Sequence, residues 1–160
     1  MLLDGVNHVA VLTGDTERLS RFYIEMFDAP PARTIEEQPG FKLSLIDIGG
    51  GRELNVFEID GNGEAERQAP MFGRGRLDHI GFQAGSLEAF EEIRRRLMAS
   101  DAADDFVTDF GPVLSVFFVD PDGLECEVLV ENPDAVPGVV NPPGTRAARF
   151  DAEIERRTTG

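Results

Sequence analysis

The apolar and polar positions of this chain run in short blocks whose period switches between two and three-to-four. Val6 to Leu12 is an apolar run rich in β-branched residues and closed by Thr13-Gly14-Asp15, which predicts a buried strand and a turn. Leu19, Phe22, Tyr23, Met26 and Phe27 then recur at spacings of three and four and give a helix one apolar face. Asp15 or Thr16 can cap its first turn, and Pro30-Pro31 is expected to end it. From Phe41 to Ile48 the period returns to two, with Phe41, Leu43 and Leu45 set against Lys42 and Ser44 ahead of Asp47. Gly49-Gly50-Gly51 turns that segment into Arg52 to Ile59, so the two predict a hairpin. Residues 60–76 are rich in Gly, Glu, Arg and Pro without a period, and predict a linker.

The series is then repeated. Leu77 to Gln83 predicts a strand, and Ser86 opens a helix with core positions Leu87, Phe90, Ile93 and Leu97 and the basic run Arg94-Arg95-Arg96 towards its C-terminus. Phe106 to Asp109, Val113 to Val119 and Leu124 to Val130 predict further strands, the last two joined by the turn Asp120-Pro121-Asp122-Gly123. An offset of 71 places His8 on His79, Val6 on Leu77, Asn7 on Asp78, Val9 on Ile80, Leu19 on Phe90, Phe22 on Ile93 and Met26 on Leu97. An offset of 72 carries Leu54-Asn55-Val56 onto Cys126-Glu127-Val128. The chain therefore reads as two copies of a strand, helix and three-strand unit. A Pro-rich tail follows over 132–160, with a short helix expected from Thr145 to Arg157.

Composition narrows the function classes. The chain has 160 residues, 41% hydrophobic and 28% charged, which suits one globular domain. Thirty acidic against fifteen basic residues give a net charge of −15, which repels phosphate backbones and anionic membrane faces and argues against nucleic acid or membrane partners. No apolar run approaches the roughly 20 residues of a membrane span, and Asp4 interrupts the first residues, so a cytoplasmic location is expected. Cys126 is the sole cysteine and reads as a core residue, which excludes an intrachain disulfide.

The chain's two histidines are the pair that the repeat superposes. Strand alternation places His8, Ala10 and Leu12 on one face, and Glu125, Glu127 and Leu129 on one face of the last strand. The repeat sets Asn55 at the place of Glu127. If the two sheets close around the pseudo-twofold, His8, His79 and Glu127 converge, with the weakly ligating Asn55 in a fourth position. Glu53 shares Asn55's face and supplies a carboxylate there if the register differs by two. Two imidazoles and a carboxylate suit Fe(II), Mn(II), Ni(II) or Zn(II) and leave coordination positions open. Glu125 is a candidate general base, with a solvated strand end as the plainer alternative, and Glu58 is similar. Arg52 and Arg76 are candidates to meet an anionic substrate, and Phe72-Gly73-Arg74-Gly75 is either a lid or part of the linker.

Gly5-x-x-His8, Gly14-Asp15, Arg21-Phe22-Tyr23, Asp78-His79-Ile80 and Asp120-Pro121-Asp122-Gly123-x-x-x-Glu127 together resemble the vicinal oxygen chelate superfamily, the glyoxalase, bleomycin-resistance and extradiol-dioxygenase group. The resemblance covers about residues 4–131 and implies an α+β fold of two βαβββ modules, 4–60 and 76–131, joined by a linker over 61–75. It implies a cupped eight-stranded mixed sheet with helices on the outer face, and a divalent metal held by His8, His79 and Glu127. In that group the metal holds vicinal oxygens of a small substrate and stabilises an enolate or oxyanion.

Departures from each branch are informative. The acid–base histidine and the tyrosine of extradiol dioxygenases fall on Phe110-Gly111-Pro112 and Phe117, so the usual ring-cleavage proton donors are absent. The fourth ligand and glutathione-gripping arginine of bacterial glyoxalase I fall on Asn55 and Leu12, and a threonine of the fosfomycin-resistance thiol transferases falls on Ala10. Two classes of function stay open: a metal-dependent lyase, isomerase, epimerase or dioxygenase-like enzyme, and a non-catalytic ligand-sequestering protein. Retention of all three ligand positions favours the enzyme. A homodimer is expected, with each site built within one chain or across exchanged modules.

Overall fold

In the computed structural model, residues 1–67, 69, 73 and 75–140 are described. The chain divides into two units, one drawn from Met1–Gln68 with Asp120–Gly123, the other from Ala69–Val119 with Leu124–Gly160. Among the described residues each carries one α-helix and one four-stranded mixed sheet, the α+β arrangement of two βαβββ modules that the repeat predicts.

The first unit contains β1 (His8–Thr13), α1 (Thr16–Phe27), β2 (Arg33–Gln38), β3 (Phe41–Asp47) and β4 (Glu53–Ile59), in the sheet order β1-β4-β3-β2. β1 and β4 are parallel and the other pairs antiparallel. Asp15 is the N-cap of α1, its carboxylate accepting the Arg18 N–H at 2.9 Å. The helix stops before the prolines: Asp28 takes the left-handed conformation at φ 54°, and its N–H bonds the Ile24 carbonyl. Leu19, Tyr23 and Met26 are buried on α1, as are Ile46 on β3 and Leu54 and Val56 on β4. No alternation announces β2, because all six of its residues are exposed and it is held at the sheet edge by its ladder to β3. The Asp120–Gly123 turn is tied into this unit by Asp122, which accepts the Thr13 hydroxyl at 2.7 Å and pairs with Arg18 at 2.5 Å.

The second unit contains β5 (Ile80–Gln83), α2 (Leu87–Ala99), β6 (Thr108–Asp109), β7 (Val113–Val119) and β8 (Glu125–Glu131), in the order β5-β8-β7-β6 with β5 and β8 parallel. Ser86 caps α2 through the Ala89 N–H at 3.1 Å. Phe90 and Leu97 are fully buried, whereas Leu87, expected in the core, is 36% exposed at the first turn, and Ile93 is only partly covered. α2 packs on β8, and Val116, Phe118, Cys126, Val128 and Val130 are buried. Asn132 anchors the start of the tail, its N–H bonding the Pro112 carbonyl at 2.9 Å and its amide the Gly111 carbonyl at 2.8 Å. Gly111 sits at φ +91°, and a β-carbon there would lie 2.4 Å from the Val139 carbonyl oxygen, so only glycine fits under this segment. The helix expected over Thr145 to Arg157 lies outside the described residues, as do Phe72 and Arg74 of Phe72-Gly73-Arg74-Gly75.

Strand registers carry the repeat to single residues. Val9 pairs with Leu54 and Ile80 with Cys126, Ala10 with Asn55 and Gly81 with Glu127, and on the other side Leu45 with Asn55 and Phe117 with Glu127. Among the described residues no helix is long and apolar enough to cross a membrane.

On α2, Glu92 accepts from Arg95 at 2.6 and 2.8 Å and from Arg96 at 2.8 Å. Hydrogen bonds from Arg95 and then Arg96 lower its carboxyl from 4.5 to about 2. Because the folded value lies below the unfolded one, this support is present above pH 4.5 and is lost as pH falls from there through about 2. A carboxyl-resolved NMR titration is expected to place the Glu92 midpoint near 2, and Glu92→Gln to remove its share of the acid-side loss. A midpoint at 4.5 would show that solvent screens these bonds completely.

Candidate functional site

In-register neighbours in a sheet present their side chains to the same face, so the pairings assign the faces directly. In the first unit His8 lies opposite Glu53 and Ala10 opposite Asn55, so His8, Glu53 and Asn55 share one face with Leu43 and Leu45. The buried Ile46, Leu54 and Val56 lie on the other face. His8 is exposed, and its Nδ1 lies 2.9 Å from the Asn7 Oδ1. An amide oxygen can only accept, so Nδ1 carries the proton and the Nε2 lone pair is left for a ligand. Glu53 pairs with Arg33 at 3.5 Å.

The second unit repeats the device with a charge. His79 stands one residue ahead of β5 rather than inside it, and its Nδ1 donates to the Asp78 carboxylate at 2.9 Å. Its Nε2 faces Glu127 Oε1 at 3.4 Å, while Glu127 Oε2 accepts the Ser115 hydroxyl at 2.7 Å. The Phe117 ring stands edge-on to the imidazole, with centroids 6.0 Å apart. Gly81 makes room for the glutamate: a β-carbon there would stand 3.2 Å from Glu127 Oε1 and 2.8 Å from Leu129 Cδ1.

This arrangement passes a simple test of fit to a divalent cation. Two donors 3.4 Å apart are spaced as neighbouring vertices of a tetrahedral shell with bonds of about 2.1 Å. Each is oriented from behind, the imidazole by a carboxylate and the glutamate by a hydroxyl, as ligands commonly are. Among the described residues no three or more His, Cys, Asp or Glu side chains form a group that could hold a metal ion, and His79 with Glu127 is a pair of donors within the second unit.

The other candidates separate. Glu125 is buried at 7% exposure, which overturns the solvated strand end, and it lies on the Glu127 face of β8. Glu58 faces the helix side, where its Oε2 accepts the Thr16 N–H at 2.8 Å, so it serves the start of α1. Arg52 is spent on loop carbonyls, bonding Gly50 at 2.8 Å and Asp4 at 3.5 Å. Arg76 is exposed, and Cys126 and Tyr23 are buried as expected. Ser115 and Gly81 carry no signal of their own in the sequence, and Asp78 and Asn7 figure there only as the neighbours of the two histidines. The offset of 71 already set Asn7 on Asp78 ahead of the two histidines, and that was the available signal.

Doubled strand-helix-three-strand units, with a histidine at the head of each first strand and a glutamate on the final one, define a protein of the paired βαβββ class. The family model described as the Glyoxalase/Bleomycin resistance protein/Dioxygenase superfamily matches residues 5–128, and the chain belongs to that family. It is similar to YwkD of Bacillus subtilis (strain 168), itself uncharacterized, at 28% identity over 134 residues, 80% of this chain and 98% of that protein. A glyoxylase/bleomycin resistance protein/dioxygenase domain from Frankia sp. EAN1pec shares the fold at a TM-score of 0.68 and 23% identity, covering 82% of this chain and 95% of that one. The fosfomycin resistance protein FosX from Listeria monocytogenes does so at 0.59 and 19%, covering 82% and 97%.

Proposed function

We propose that the chain is a divalent-metal-dependent enzyme acting on a small substrate that chelates the metal through vicinal oxygens, by lyase, isomerase, epimerase or dioxygenase-like chemistry. His8, His79 and Glu127 would hold the ion, Fe(II), Mn(II), Ni(II) or Zn(II), with Asn55 or Glu53 in a fourth position. The observation that carries this is that both histidines have Nδ1 tied to an oxygen of the preceding residue, leaving Nε2 as the donor, and that one already faces a glutamate. Asn55 is the register equivalent of Glu127, whereas Glu53 is engaged by Arg33, which favours the amide. When bound, the ion supplies Lewis-acid stabilisation to an oxyanion on the substrate.

The chain's own residues have distinct parts in this proposal. Asp78 and Asn7 fix the imidazole tautomers, and Ser115 orients the Glu127 carboxylate. The exposed face of Leu43, Leu45 and Ala10 offers apolar surface to the rest of a small substrate. With both histidines committed, Glu125 is the side chain proposed to take and return a proton. Residues 4–131 form the functional domain, with modules 4–60 and 76–131, and a cytoplasmic homodimer completes each site within a chain or between exchanged modules.

Elemental analysis of purified protein, followed by thermal melts of the chelator-treated sample with each of the four ions, tests the proposal. Bound metal, and a melting point raised by at least one ion, are expected. A metal-free sample that none of the ions stabilises would sink it and leave ligand sequestration as the function.

A further inference from the structure

The outward face of α2 carries a pattern that neither the core nor the proposed metal set uses. Leu87, Glu91, Arg94 and Met98 follow one another at spacings of four, three and four, so they form a single stripe along one side of the helix. A groove of about 770 Å³ runs over that stripe, with Glu88 and Arg95 also in its lining. The helix buries Phe90 and Leu97, whereas Leu87 and Met98 each stay 36% exposed at the two ends of the stripe. α2 packs on β8, where the buried Cys126, Val128 and Val130 alternate with Glu127, so the stripe lies on the far side of this strand from the glutamate.

Charge along the helix has a direction. Glu88, Glu91 and Glu92 occupy its first half and Arg94, Arg95 and Arg96 its second. That order suits the helix dipole, but the dipole gives no reason for apolar side chains left open at both ends of the stripe. A second copy of α2 laid antiparallel on the first accounts for both features. Leu87 then meets the partner's Met98, Glu91 meets the partner's Arg94, and the twofold axis repeats each contact. Glu88 comes opposite the partner's Arg95 along the outer flank of the same seam. Glu91 already holds Arg94 of its own helix at 3.3 Å, so association closes a ring of two glutamates and two arginines. A parallel pair would set Glu91 beside the partner's Glu91 and Arg94 beside the partner's Arg94, which like-charge repulsion opposes. The face is complementary to itself in one orientation only.

We propose that two copies of this chain associate through α2, as an antiparallel helix pair about a twofold axis. This gives the proposed homodimer a surface that needs no exchange of modules and does not rest on the metal reading. Thirteen residues make a helix of about 20 Å, and one such pair covers less than the roughly 1,200 Å² at which standard interfaces begin. The dimer is therefore reversible, with a dissociation constant in the micromolar range.

Sedimentation velocity of the full chain, from low micromolar to near-millimolar concentration, measures the association. Glu91→Arg sets an arginine against the partner's Arg94, and Arg94→Glu sets a glutamate against the partner's Glu91, so each variant alone is expected to weaken the dimer at least about tenfold. An equimolar mixture of the two variants restores opposite charges at both crossings and is expected to sediment as a dimer again. Met98→Ser removes an exposed apolar contact, and is expected to weaken the dimer while the melting point of the dilute protein stays nearly unchanged, which separates association from folding. A monomer at every concentration would overturn the proposal and leave the groove to residues 141–160 or to another protein. A dimer that all three variants leave intact would overturn it in favour of exchanged modules, and charge variants that dissociate without recombining, beside an unweakened Met98→Ser dimer, would overturn it too. Metal-induced stabilisation is expected to be the same in all of these variants, so failure of helix pairing and failure of metal binding are read separately.

Discussion

His79→Ala is expected to abolish the stabilisation that a bound divalent ion gives, while leaving the melting point of the metal-free protein nearly unchanged. A ligand present at a hundred times its Kd stabilises by about 2.7 kcal/mol, which in a chain of this size raises the melting point by roughly 5–10 °C. The imidazole is 29% exposed at its strand head and outside the apolar core, so its truncation opens no large cavity. What it removes is the Nε2 that faces Glu127 at 3.4 Å. Asp78→Asn is the graded control. It keeps a hydrogen-bond acceptor for Nδ1 but removes the charge behind the ring, and is expected to lower metal affinity about 10- to 100-fold. Thermal melts across a Mn(II), Fe(II), Ni(II) and Zn(II) series measure both. An undiminished metal-induced shift in His79→Ala would remove this residue from the ligand set.

What was legible beforehand follows from where each signal resides. Elements whose two faces differ in burial announced themselves: β3, β7 and β8 alternate or run apolar, and α1 and α2 show helical spacing behind Asp15 and Ser86. β2 was hidden because Arg33 to Gln38 is exposed throughout, and its place is set by backbone pairing to β3, which leaves no mark on side-chain pattern. Helical spacing runs to Phe27, where α1 ends, but the stop is made by the left-handed Asp28 ahead of Pro30-Pro31. At the site, the repeat exposed His8, His79 and the Asn55–Glu127 correspondence, because equivalent residues occupy equivalent registers. The contacts behind them were less visible, since Ser115 reaches Glu127 diagonally from the neighbouring strand, where Phe117 is the residue directly opposite. Glu58 could not be told from a site carboxylate until its partner, the Thr16 N–H, was known.

Phe90→Ala is expected to have the largest effect on folding, a loss of about 3–5 kcal/mol. The ring is 1% exposed on the inner face of α2, which packs on β8, and its register equivalent in the first helix is the equally buried Leu19. Against a typical total of about 5–15 kcal/mol, that loss lowers the melting point by roughly 6–20 °C and moves the urea midpoint down by a comparable share. Along β8, Cys126, Val128 and Val130 are buried, whereas Glu127 and Leu129 alternate with them and stay partly exposed. The helix thus supports one side of the strand, while Glu127 faces His79 from the other. Metal linkage adds a term set by ion concentration and Kd alone, so Phe90→Ala is expected to keep the same metal-induced increment that His79→Ala loses. Stability and metal uptake then separate into two variants, each deficient in one property. An increment that shrinks along with stability in Phe90→Ala would show that the packing beneath β8 holds the glutamate in place, and that the two faces of this strand are energetically one structure.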